Sequence, residues 1–204
     1  MKKIIILVAM LSFCLGLLFA QPVFGIRAGL NVASLTGEDD MDDYGSKLGF
    51  HVGAMMQYPM SGNFILQPEL LYTMKGGTFE LEFLGKNEIT GTVNYIEMPL
   101  LVKYNVKMPT IKIQPYIGAS IGYLLIAEIE NKKTVLGVTT TTTDDVIDDM
   151  ETLEAGLNLG ADVIVMQNFM LGLRYNMGLT EIVKKDTKFK NNVIMVNLGF
   201  LFGN

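Results

Sequence analysis

The chain has no tryptophan and one histidine, and its one cysteine, Cys14, falls within the first twenty residues. Scarcity of cysteine excludes a disulfide framework, and a lone His51 without cysteine partners is a poor zinc site. Only 18% of residues are charged, and acids outnumber bases, 21 to 16. That balance lacks the basic footprint of a nucleic-acid binder. Beyond residue 20 no apolar run approaches the roughly 20 residues of a membrane helix. Yet half the residues are hydrophobic, and the mean hydropathy is +0.33. The apolar residues are therefore spread thinly, which favours strands.

The first twenty residues stand apart. Lys2 and Lys3 precede an apolar stretch, residues 4–19, and Ala20 is followed by Gln21-Pro22. This reads as a secretory signal peptide, residues 1–20, ahead of one domain, residues 21–204. A membrane anchor is the competing reading, but the span is short for one. Phe13 directly before Cys14 makes a poor lipoprotein site. Loss of Lys2 and Lys3 takes the formal charge from −5 to −7. An acidic exported protein is expected to have no nucleic-acid partner.

After Gln21 the chain alternates with period two in eight segments, near 23–34, 47–58, 64–75, 92–106, 111–126, 152–166, 169–180 and 192–202. In the last, Ile194, Val196, Leu198, Phe200 and Phe202 share a face. Connections near 59–63, 107–110 and 167–168 are short, whereas those near 35–46, 76–91, 127–151 and 181–191 are long. Eight antiparallel strands with short turns at one end and long loops at the other form the pattern of an all-β, up-and-down transmembrane β-barrel. A soluble lipocalin-like barrel would alternate too, with the apolar face inward. The glycines favour the membrane reading. Gly29, Gly53, Gly118, Gly160, Gly172 and others lie in the polar phase, where a crowded lumen needs space and a watered surface does not.

The segment YIEMPLLVKY, residues 95–104, shows the consequence. Ile96, Met98, Leu100, Val102 and Tyr104 would face lipid, and Glu97 and Lys103 the lumen. Arg27, Glu69, Asp162 and Arg174 share that inward phase. Unpaired burial costs several kcal/mol per ion, so a structural lumen network of Arg27, Glu69, Glu97, Lys103, Asp162 and Arg174 is expected. Pro99 within the segment, and the apolar inward pair Val93 and Tyr95, suggest a β-bulge between Tyr95 and Pro99.

Taken together, FGIRAGLN, LQPELLYT, YIEMPLLVKY, QPYIGASIGY and VNLGFLF resemble the PorT-like outer-membrane β-barrel family. The resemblance covers nearly all of the chain after residue 20. It implies a barrel inserted into the bacterial outer membrane after export through the general secretory pathway. It supplies no catalytic motif that maps onto this chain. Some members of that family assist protein secretion.

Little else points to chemistry. GEDDMDDYG supplies Glu38, Asp39, Asp40, Asp42 and Asp43, which could hold a divalent cation. Counted from Asp40, however, the calcium-loop register puts Tyr44 fifth and His51 twelfth. VTTTTTDDVIDDM reads as a low-complexity loop. Ser46, Ser61 and Ser120 lack a nucleophile-elbow context. No catalytic residue, cofactor or metal is expected. The expected partners are the lipid bilayer and lipopolysaccharide, with a possible protein partner at the surface loops, and the expected state is a monomer. The leading role is a scaffold presenting acidic loops. A narrow channel, a secretion accessory and, more remotely, a rim hydrolase are the alternatives.

Overall fold

The sheet of this chain closes on itself, so that each strand of the ring has an antiparallel neighbour on both sides. The computed structural model describes residues 21–37, 44–82, 86–135, 138–184 and 189–202. In chain order the strands are β1 (Val23–Thr36), β2 (Tyr44–Pro59), β3 (Phe64–Glu82), β4 (Lys86–Tyr104), β5 (Val106–Lys107), β6 (Ile111–Val135), β7 (Val138–Asp145), β8 (Leu153–Val165), β9 (Phe169–Gly178) and β10 (Lys190–Phe202). β1 to β4, β6 and β8 to β10 form the ring, closed by β1 against β10 and by β4 against β6. This is an eight-stranded antiparallel barrel. Closure satisfies the ladder of hydrogen bonds all the way round, which lipid demands because it offers no partners.

The period-two pattern sorts the side chains. Leu30, Leu48, Ile117, Leu159, Leu173 and Leu198 are exposed on the outside, as a lipid-facing wall requires. Two aromatic girdles bound this wall. Phe24, Phe64, Tyr104, Phe169 and Phe202 surround the end with short turns, and Phe50, Tyr123 and Tyr175 the other. Phe64 meets Tyr104 edge-on at 5.2 Å, and Phe169 meets Phe200 at 5.1 Å.

Three expectations need correction. The segments 76–91 and 127–151 are mostly strand rather than loop: β3 and β4 pair as far as Glu82–Lys86, and β6 runs on to Val135. The threonine run is not a loop but β7, which pairs with β6 throughout. Beyond the membrane both faces of a strand are wet, so the apolar alternation fades while the backbone ladder continues. Threonine then supplies β-branched stiffness with no hydrophobic signal.

The third correction concerns the bulge. The register of β4 on β6 does shift, between Asn94 and Tyr95, but the extra residue is Leu125 on β6. Leu125 and Ile126 both point outward, so the phase flips and Ala127 is buried. Pro99 is accommodated differently. The β3–β4 ladder breaks between Pro68–Leu100 and Leu71–Glu97 and resumes in the same register. Val93 and Tyr95 are simply inward: with Leu124 and Ala127 they hold the turn residues Val146, Ile147 and Met150 over the lumen. Met55, Ile164, Met170 and Leu201 form a second apolar layer near the opposite mouth. The acidic stretch 38–43 and residues 1–20 lie outside the described residues.

Strand phase gives a direct test. Nitroxide labels at Leu157, Leu173 and Leu198 in bilayers are expected to be accessible to oxygen from the lipid phase, and labels at Asn158, Arg174 and Asn197 shielded. The reverse order would mean an inside-out barrel.

Candidate functional site

Between the two apolar layers the lumen holds charge. Among the described residues, the buried cations are Arg27, Lys75, Lys103 and Arg174, and the buried carboxylates are Glu69, Glu97, Glu154 and Asp162. None is more than 5% exposed. With all eight ionised, the lumen is neutral.

These groups divide into two layers. In the lower, Arg27 Nη1 donates to Glu69 Oε1 at 2.6 Å, and its Nη2 donates to both Asp162 oxygens at 3.0 Å. Lys103 Nζ also donates to Asp162 Oδ2. Arg174 Nη2 donates to Glu69 Oε1 at 2.8 Å and Nε to Tyr116 Oη at 3.3 Å. Lys103 Nζ lies 4.9 Å from the centroid of the Tyr116 ring and the Arg174 guanidinium carbon 5.4 Å, so both cations contact the same aromatic ring. Tyr116 fits because its neighbour is Gly160: a Cβ there would lie 2.6 Å from the phenol oxygen. A Cβ at Gly172 would likewise collide with Asp162 Oδ1.

The upper layer is built on Lys75. Its Nζ lies 3.2 Å from Glu97 Oε2 and 3.3 Å from Glu154 Oε2. Asn176 Nδ2 donates to Glu97 Oε1 at 3.1 Å and to Asn158 Oδ1 at 3.0 Å. The lower layer carries one excess positive charge and the upper one excess negative, so the two attract along the barrel axis.

Of the six expected network residues, five meet in the lower layer, and Glu97 belongs to the upper. Lys75 and Glu154 were missed. A signal existed for both: Lys75 has the parity of Glu69 on β3, and Glu154 that of Asp162 on β8. His51 bonds Asn31 Oδ1 through Nδ1 at 2.7 Å, and Ser120 accepts from Asn158 and Asn176. The two are not joined as a nucleophile and base would be. Among the described residues, no three His, Cys, Asp or Glu side chains converge as metal ligands would.

The arrangement is a closed transmembrane barrel with a salt-bridged interior. The family model for the outer membrane protein beta-barrel domain matches residues 19–184, and the chain belongs to that family. No curated protein matches it. Among solved structures it is similar to Ail, the attachment invasion locus protein of Yersinia pestis. Identity is 16%, with 89% of this chain and 99% of that one covered and a TM-score of 0.47. It is also similar to Neisserial surface protein A, at 13% identity, 87% and 96% coverage and a TM-score of 0.46. A third is OprG from Pseudomonas aeruginosa, at 11%, 91% and 98%, and a TM-score of 0.43.

Charge arithmetic ranks the network. Arg27→Met leaves Lys103 and Arg174 against Glu69 and Asp162, still balanced. Asp162→Asn leaves three cations against Glu69 alone. Breaking a buried pair costs about 3–5 kcal/mol when a charge is stranded. Asp162→Asn is therefore expected to lower the urea stability of the micelle-folded barrel by that order, and Arg27→Met by clearly less. Equal or inverted costs would contradict the two-layer account.

Proposed function

We propose that the protein is a closed outer-membrane scaffold that carries an extracellular interaction surface and neither conducts solute nor catalyses a reaction. The observation behind this reading is the lumen itself. Eight strands enclose a space that side chains can fill, and here paired charges fill it between two apolar layers. Separating those ions to open a path would cost several kcal/mol for each one stranded.

The extracellular surface is built by the extended ends of β3, β4 and β6 with β7. Glu128, Glu130, Asp144, Asp145, Asp148 and Asp149 give it an acidic character. Lipopolysaccharide and a protein partner at this surface belong to the proposal, as does a monomeric state. Nucleic acid does not, because the charge has the wrong sign. Export by a signal peptide, residues 1–20, and the finer PorT-like placement rest on the sequence segments quoted above. A narrow channel is the alternative, and the secretion-accessory role a further one.

Two outcomes are expected. Protein purified from outer membranes should have the intact mass of a chain beginning at Gln21; a mass that retains residue 1 would refute cleavage after Ala20. In planar bilayers the protein should show no steady conductance. Stable openings in every insertion, enlarged by Arg174→Ala, would replace the scaffold with a channel.

A further inference from the structure

The mouth at the end with short turns differs from the rest of the barrel. The described segments that build it, residues 21–26, 53–68, 98–118, 163–173 and 198–202, contain no aspartate or glutamate. Their charged side chains are Lys103, Lys107 and Lys112. Lys103 is already bonded to Asp162 in the lower layer. Among the described residues, no aspartate or glutamate forms an ion pair with Lys107 or Lys112.

The backbone nevertheless places these two lysines together. β5 pairs with the start of β6 so that Lys107 is directly opposite Lys112. Like charges directly opposite on one face of a ladder are destabilising. The hairpin turn is held by Met108 N–H donating to Ile111 O at 2.9 Å, so the pair is built into the local fold. Lys112 has the parity of Gln114, whose side chain is buried in the lumen. Both lysines therefore stand on the lumen side of the mouth.

They line a cavity of about 230 Å³ with Gln57, Gln114, Asn63 and Asn105. Gln57 is oriented by donating to Gln67 at 2.7 Å and to Gln114 at 3.1 Å. The buried Asn105 Oδ1 has no hydrogen-bond partner, so that amide can turn its NH₂ group into the cavity. Val23, Ile65 and Ile164 supply an apolar wall.

We propose that this mouth is a binding site for the phosphate group of a phosphate ester. Two ammonium groups match a phosphate in charge, the amides can donate to its oxygens, and the apolar wall takes an attached carbon chain. The bound oxyanion removes the repulsion between Lys107 and Lys112. From the functional reading above the proposal takes only that this end faces the periplasm, where the ester is either a phospholipid headgroup or a soluble molecule. It holds whether or not the barrel conducts.

The test is isothermal titration of the refolded protein in uncharged detergent, in separate arms with glycerol phosphate and with a short-chain phosphatidylglycerol. Saturable binding of one molecule per chain is expected, weakened at least tenfold in Lys107→Gln/Lys112→Gln. The single variant Lys112→Gln, at a half-exposed position, should be weakened in the same direction and provides the reading if the double variant does not fold. Binding in the first arm assigns a soluble ester, and binding in the second alone assigns a lipid headgroup; both support the site. No binding in either arm, or binding unchanged in folded variants, would overturn it.

Discussion

The interaction on which the rest of this structure depends is the pairing of four cations with four carboxylates inside a ring of eight strands. Charges cannot be left unpaired in such a space, because each would cost several kcal/mol. The pairing in turn makes demands on its neighbours. The Tyr116 ring must reach both Lys103 and Arg174, so Gly160 beside it can carry no side chain. Asp162 must reach both Arg27 and Lys103, so Gly172 must be glycine. Glycine weakens strands elsewhere; here it is the condition for the network.

The division into two oppositely unbalanced layers adds directionality. The lower layer is short of one anion and the upper of one cation. Neither is satisfied alone, and Glu97 and Arg174, on neighbouring levels, face charges of the opposite layer. Apolar side chains above and below, from Tyr95 and Leu124 to Ile164 and Met170, lower the local dielectric and strengthen every pair between them. Paired charges occupy the middle of the lumen and apolar side chains line the outer wall, so the two ends are the remaining polar surfaces of the barrel.

Those ends are unlike. The sheet at the end with long connections is acidic and built from strands whose ladder outlasts the apolar wall. The described segments of the opposite mouth contain no aspartate or glutamate and place two lysines opposite one another. Membership of the outer membrane beta-barrel family fits this axial arrangement without specifying a ligand for either end.

The sequence by itself determined the number of barrel strands, their antiparallel closure and which side chains face lipid. Period two is a local property: a residue's parity sets its face whatever its neighbours do. That is why Arg27, Glu69, Lys103, Asp162 and Arg174 could be placed in the lumen from their positions alone. Parity also marked Lys75 and Glu154. Which ions pair, however, depends on the stagger between strands, a relation of separate segments that no single segment encodes. So Glu97 met Lys75, which it shares with Glu154, rather than Arg27. Only the tertiary structure could show that the threonine run is a strand, because its evidence is a ladder with β6 and not a pattern within itself. The same holds for the extra residue at Leu125, which exists only as a difference in length between two paired strands.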